Sequence, residues 1–225
     1  MLSAIIVAAG SSQRMGFDKL LALLGDKPVL AHTIEAFERT ASVREIILVA
    51  RAERVGEFEE LVRQNDFQKV REVIAGGEQR HDSVRAGLAQ VSAEATFIAV
   101  HDAARPLVTA EQIERVFELA RTHGGAALAE PITNTLKRAD QAGVVTGGVP
   151  RENVYGMQTP QIFERDLIDK AYAAIAAENR SVTDEVSAVE QLGAKIVLLP
   201  NEEWNVKITY PRDLLLAQAV LARRS

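Results

Sequence analysis

The chain contains no cysteine. That excludes disulfide staples, thiolate zinc sites and a cysteine nucleophile, and it is compatible with a reducing cytoplasm. Positive charge is not in excess either: 26 Lys and Arg against 31 Asp and Glu leave a net charge of −5. Binding to a phosphate backbone needs a basic face, so no nucleic-acid partner is expected. No apolar run approaches the ~18 residues that span a bilayer, and the N-terminus lacks the charged region, apolar run and cleavage site of an export signal. The expectation is a cytoplasmic protein without a membrane partner. Repeats and low-complexity tracts are also missing. What is left is a chain of 225 residues, 47% hydrophobic, long enough to bury a full core and read as one domain over residues 1–225.

Several familiar active-site patterns are absent as well. Five residues separate Gly10 from Gly16 and Phe17-Asp18-Lys19 follows, whereas a P-loop has four and then Lys-Ser/Thr. Ser12 stands where the dinucleotide fingerprint needs its second glycine. Kinase, GTPase and hydride-transfer readings fail on these points. His32, His81, His101 and His123 lack metal spacing such as H-E-x-x-H, which favours satisfied or surface roles. No Ser-His-Asp or paired-carboxylate arrangement stands out.

Short apolar runs at 2–7, 45–50, 70–74, 96–101, 126–130 and 195–199 read as parallel strands buried on both faces. Helical patterns alternate with them. Thr109 and Gln112 form a capping box ahead of Ile113, Val116, Phe117 and Ala120 at helical spacing. Leu167, Ala171 and Ile175 mark a second helix. A third starts near Thr183 with Asp184 and Glu185 in its first turn, carries Val186, Val189 and Leu192, and stops at Gly193. The βαβα order predicts an α/β fold, a doubly wound, mostly parallel Rossmann-like sheet. One stretch, about 131–153, breaks the alternation, and Ala139-Asp140-Gln141-Ala142-Gly143 can turn a hairpin within it. It reads as a protruding two-stranded β-arm, too small to bury its own apolar residues, so it must lie on its own domain or on a second subunit.

Five clusters carry candidate chemistry. The first strand opens into Ala8-Ala9-Gly10-Ser11-Ser12-Gln13-Arg14-Met15-Gly16-Phe17-Asp18-Lys19. Small residues let backbone N–H groups approach an anion, and Arg14 and Lys19 supply charge to phosphate oxygens; the same residues also suit an ordinary strand-to-helix turn. Gly76-Gly77-Glu78-Gln79-Arg80-His81-Asp82-Ser83 can admit a flat ring against the backbone with the Ser83 hydroxyl near, or be a plain αβ turn. His101-Asp102-Ala103-Ala104-Arg105-Pro106 follows a strand, where open α/β sheets place ligand groups, so Asp102 is a candidate metal ligand or a turn cap. Thr183-Asp184-Glu185 taken alone reads as a helix cap. In Asn205-Val206-Lys207-Ile208-Thr209, read as a short strand, Lys207 points away from its apolar neighbours, either into solvent or into a cleft.

Taken together and in this order, these clusters resemble the 2-C-methyl-D-erythritol 4-phosphate cytidylyltransferase family of non-mevalonate isoprenoid synthesis, within the sugar-phosphate nucleotidyltransferases. The resemblance spans nearly the whole chain and includes Thr159-Pro160-Gln161; H-D-A-A-R-P and T-D-E are its specific part, while A-A-G alone fits any sugar-phosphate nucleotidyltransferase. Where the family often has Pro, Gln and Asp, this chain has Val7, Leu20 and Glu78. Some members carry a second, fused enzyme, and nothing up to Ser225 indicates one here.

The resemblance implies cytidylyl transfer from CTP to 2-C-methyl-D-erythritol 4-phosphate. Arg14, Lys19 and Lys207 would surround the phosphates, with backbone groups of Ala8, Ala9 and Gly10 and residues Gly77, Glu78 and Ser83 holding CTP. Asp102, Arg105, Thr159 and Thr183 would lie beside the methylerythritol phosphate, and Mg²⁺ or another divalent cation would accompany the triphosphate; Asp102 is a candidate either for the substrate or for that ion. The resemblance also implies a homodimer through the arm, with Thr135 and Arg151 reaching the neighbour's site. The other readings are a different sugar- or polyol-phosphate cytidylyltransferase and a non-catalytic nucleotide-binding module.

Overall fold

The computed structural model describes residues 1–10, 16–178 and 180–224. Arg14 and its neighbours at 11–15, singled out above, lie outside the described residues. Along the chain run β1 (Leu2–Ala8), β2 (Leu23–Leu24), β3 (Lys27–Pro28), α1 (Val29–Arg39), β4 (Val43–Ala50), α2 (Val55–Gln64), β5 (Val70–Ala75), α3 (Arg80–Gln90), β6 (Phe97–Asp102) and α4 (Ala110–His123). There follow β7 (Gly125–Pro131), β8 (Leu136–Ala139), β9 (Val145–Val149), β10 (Tyr155–Glu164), α5 (Arg165–Glu178), α6 (Glu185–Glu190), β11 (Val197–Pro200) and α7 (Pro211–Arg224).

Seven strands form the central sheet in the order β11-β7-β10-β6-β1-β4-β5. All run parallel except β10, which is antiparallel to both β6 and β7. The continuous apolar runs are explained by burial on both faces, because side chains alternate across a strand. Ala4, Ile6, Ile46 and Leu48 face a core with α1, α2, α4 and α7, while Ile5, Ile47 and Val49 face α3, α5 and α6. The capping box of α4 forms as expected, with Thr109 Oγ1 accepting the Gln112 N–H at 3.2 Å and Gln112 Oε1 accepting the Thr109 N–H at 3.0 Å. Gly124, at φ 81°, closes that helix in the left-handed region. Among the described residues no helix is long and apolar enough to cross a membrane.

Two expectations need correction. The strand β10 was not anticipated, because Pro160 lies inside it and cannot donate to a ladder; the β10–β7 register breaks between Met157 and Gln161, on either side of it. Residues 205–209 form no strand but an irregular segment. The expected arm is the hairpin β8–β9. Asp140 builds its turn, its carboxylate accepting the N–H groups of Ala142 and Val144, each at 2.9 Å.

Candidate active site

Val7 of β1 lies opposite Asp102 of β6, at the carboxyl ends of adjacent parallel strands. The chain leaves β1 toward β4 on one side while β6 occupies the other, and an open α/β sheet leaves a crevice beyond such a divergence. Here the crevice has two halves. One, of ≈ 320 Å³, is lined by Ala8, Ala9, Gly10 and Lys19 from the opening loop and by Gly77, Glu78 and Ser83 around the start of α3. The other, of ≈ 300 Å³, is lined by Arg105, Thr159, Thr183 and Asp184 among others. Arg80, Asp102 and Lys207 belong to both and form the junction.

Three cations converge on one carboxylate at that junction. Lys207 Nζ lies 2.8 Å from Asp102 Oδ2, Arg80 Nε 3.2 Å from Oδ1 and Arg105 Nε 3.6 Å from Oδ2. Burial alone would raise the Asp102 pKa, but Arg80, Lys207 and Arg105 override it and hold the group well below the usual carboxylate range. A junction with more positive than negative charge, partly closed to water, is prepared for polyanions.

Arg80 and Glu185 were not among the site residues expected from the sequence. Glu185 is fully buried and takes Arg80 bidentately, Nη1 to Oε1 at 2.5 Å and Nη2 to Oε2 at 3.0 Å, while the Tyr172 hydroxyl donates to Oε1 at 3.0 Å. Burial opposes the charge on Arg80, yet Glu185 and Asp102 raise its pKa; burial and Glu185 likewise push the Tyr172 hydroxyl up. One signal was present in the sequence. Arg80 is the first residue of α3, and a cation there works against the helix dipole unless carboxylates answer it. The T-D-E cluster thus does two things, since Asp184 also caps α6 by accepting the Ser187 N–H at 3.0 Å.

His101 is the satisfied core histidine the sequence favoured. It is fully buried, and burial lowers its pKa to about 3. The Arg105 carbonyl can only accept, so it takes His101 Nε2–H at 3.3 Å; Nδ1 of the neutral ring is then an acceptor, and the Thr159 hydroxyl donates to it at 3.0 Å while accepting the Asp102 N–H at 3.0 Å. Thr159 therefore reaches the cleft wall with its hydroxyl already committed. Arg105 likewise donates to the carbonyls of Asn205, at 2.8 Å, and Met157, at 3.4 Å. Thr183 is exposed beside Ser187, and Lys207 does enter the cleft. Lys19 Nζ donates to the Ile208 carbonyl at 2.8 Å, tying the opening loop to the Lys207 segment.

The glycine pair has a packing reason beyond space for a ring. A Cβ on Gly76 would meet Ser83 Oγ at 2.5 Å, and one on Gly77 would meet Asp82 Cβ at 2.3 Å. The first turn of α3 sits directly on these glycines. Gly77→Ala should therefore cost about 1–3 kcal/mol, because the first turn of α3 must move to admit the methyl group. Thermal unfolding checks this; an unchanged Tm would mean the turn yields freely. Thr135 and Arg151 lie exposed on the arm and line neither half of their own chain's cleft. Among the described residues no group of three or more His, Cys, Asp or Glu side chains forms a metal cage.

Comparison with known proteins shows the family. The family model for 2-C-methyl-D-erythritol 4-phosphate cytidylyltransferase (IspD) matches residues 2–223. A protein of that name from Dehalococcoides mccartyi is 40% identical over 99% of this chain and 96% of its own length. A bifunctional IspD/IspF enzyme from Desulforudis audaxviator is 42% identical over 97% of this chain, which spans 56% of that larger protein. The crystal structure of a 4-diphosphocytidyl-2C-methyl-D-erythritol synthase superposes with a TM-score of 0.82 at 35% identity, covering 98% of this chain and 97% of the other. The chain belongs to the 2-C-methyl-D-erythritol 4-phosphate cytidylyltransferase family.

Proposed function

We propose that Lys19, Lys207 and Arg14 are the cations that drive this family's reaction in the two-part cleft. The reaction joins CTP and 2-C-methyl-D-erythritol 4-phosphate to give 4-CDP-2-C-methyl-D-erythritol and pyrophosphate. The attacking phosphomonoester has a second pKa near 6 and is largely dianionic at neutral pH, so no general base is needed. An oxygen of the acceptor phosphate bonds to the α-phosphorus in line. The bond from that phosphorus to the bridging oxygen breaks, and pyrophosphate leaves with the electron pair. The obstacle is charge: a dianion must approach a triphosphate.

The observation that carries this reading is the shared wall of the two halves, Arg80, Asp102 and Lys207. CTP in the first half and the acceptor in the second put the α-phosphorus at that wall. Lys207 stabilises charge there, while Lys19 and Arg14 hold the leaving oxygens. Backbone groups of Ala8, Ala9, Gly10 and Gly77 leave room for a pyrimidine, with Glu78 and Ser83 beside the nucleoside. Arg105, Thr159 and Thr183 face the acceptor. Charged substrates of this kind do not cross a bilayer unaided, which fits a cytoplasmic enzyme.

A lone carboxylate at the junction suits Mg²⁺, or another divalent cation, that arrives on the triphosphate: such an ion takes one or two carboxylates and leaves its other positions to phosphate and water. Asp102 would hold it, and when bound it would neutralise charge on the leaving group. The arm, with Val144 and Val145 exposed at 60% and 61%, supports a homodimer in which Thr135 and Arg151 complete the neighbour's acceptor half.

The test is pyrophosphate release with CTP, Mg²⁺ and a panel of polyol phosphates. Methylerythritol phosphate should be the best acceptor, and equal turnover of another polyol phosphate would reassign the second half. EDTA should abolish release and added Mg²⁺ restore it. Undiminished turnover in EDTA would remove the ion from the mechanism.

A further inference from the structure

Lys207 stands on residues 201–209, which adopt no helix or strand. A reacting centre tolerates little error: displacement by about 1 Å costs on the order of a hundredfold in rate. We infer that a buried relay of four side-chain amides, Gln112, Asn201, Gln158 and Asn205, positions Lys207 for the transfer step. The inference rests on the reading of Lys207 as a cation at the α-phosphate.

The four amides are 5%, 5%, 5% and 2% exposed, in that order. They bridge the N-terminus of α4, the end of β11, the middle of β10 and the Lys207 segment. Gln112 Nε2 donates to Asn201 Oδ1 at 2.9 Å, and Asn201 Nδ2 donates to Gln158 Oε1 at 2.9 Å. The same Gln158 oxygen accepts Asn205 Nδ2 at 3.2 Å, and Asn205 Nδ2 also donates to the Thr159 carbonyl at 2.9 Å. Gln158 Nε2 donates to Glu130 Oε2 at 3.1 Å.

Both ends of the relay are one-way. The Thr109 N–H can only donate, so it fixes which atom of Gln112 is oxygen; the Glu130 carboxylate accepts, so it fixes which atom of Gln158 is nitrogen. Asn201, between them, is then left one orientation that meets both neighbours, and the Thr159 carbonyl likewise fixes Asn205 Nδ2 as the donor, although Asn205 Oδ1 has no hydrogen-bond partner among the described residues. Reversing one leaves buried donors facing donors, at about 1–3 kcal/mol for each group left unmade. A loop tied to such a relay is confined to one course.

The backbone of the segment is pinned where the relay reaches it. The Asn201 N–H donates to the Ala129 carbonyl at 2.7 Å, Arg105 holds the Asn205 carbonyl at 2.8 Å, and the Ile208 N–H donates to the Ala104 carbonyl at 2.8 Å. Lys207 lies between the last two pins.

The segment also contains the chain's single tryptophan, Trp204, 55% exposed, which reports its order independently of catalysis. Gln158→Met keeps the side-chain length and removes the amide. It should lower kcat by ~10-fold or more, with KM for CTP within about threefold, and should make Trp204 fluorescence anisotropy decay faster. In a Lys207→Ala background the same change should lower kcat by less than about twofold, since what the relay positions is gone. Asn201→Asp, which places an oxygen against Gln158 Oε1, should reproduce both effects and serves if Gln158→Met does not fold. Equal losses in both backgrounds, or unaltered Trp204 anisotropy in both variants, would overturn the relay. Wild-type kcat in Lys207→Ala alone would instead overturn the role given to Lys207, a separate outcome.

Discussion

Lys207→Ala is expected to lower kcat on the order of a hundredfold while leaving Tm nearly unchanged. Two opposite consequences of one ion pair lead to this. The Lys207 side chain is 43% exposed, and exposed pairs contribute only about 0–1 kcal/mol to stability. Its loss does not strand Asp102, because Arg80 and Arg105 still face that carboxylate. The folded state therefore tolerates the change. The transition state does not: removing one preorganised group aimed at developing charge costs about 3 kcal/mol. KM for CTP should change less than kcat, since the contacts proposed for Lys19 with the leaving phosphates remain. Steady-state kinetics beside a thermal melt make the comparison, and wild-type kcat in this variant would refute the assignment.

The same junction shows which parts of the site were legible in the sequence. Strands buried on both faces announce themselves as short apolar runs, so β1, β4 and β6 could be read, and with them the sheet end that carries Asp102. The glycine loop and H-D-A-A-R-P follow strands directly, so their place at the crevice follows from topology. Lys207 was read as facing away from its neighbours, and it does so, with Ile208 buried and Lys207 in the cleft, although the backbone there is not a strand. What stayed hidden depends on distant partners. Arg80 and Glu185 are 105 residues apart, and neither position alone says that one needs the other. The strand β10 stayed hidden because Pro160 interrupts it, and with it went Gln158, whose partners come from β7 and the segment after β11. Local pattern reveals elements and loop chemistry. Closure of buried polar groups across the sheet appears only in three dimensions.

The arm leads to the largest expected effect, recovery of activity from two inactive proteins. Thr135 and Arg151 line neither half of their own chain's cleft, and the hairpin they flank leaves Val144 and Val145 uncovered. If each active site joins one chain's cleft to the other chain's arm, Lys207→Ala and Arg151→Ala homodimers should each be nearly inactive. A mixed dimer would have one site with both defects and one with neither. Random pairing makes about half the dimers mixed, each with one intact site of two, so about a quarter of wild-type activity should return after joint unfolding and refolding. Arg151→Ala should leave Tm nearly unchanged, because that side chain is exposed and, among the described residues, bonds only the Thr133 carbonyl of its own arm. Native mass measurement establishes that mixed dimers have formed. Mixed dimers without recovered activity would mean that Arg151 serves its own chain's cleft or none, and a chain that stays monomeric at assay concentration would end the shared-site arrangement altogether.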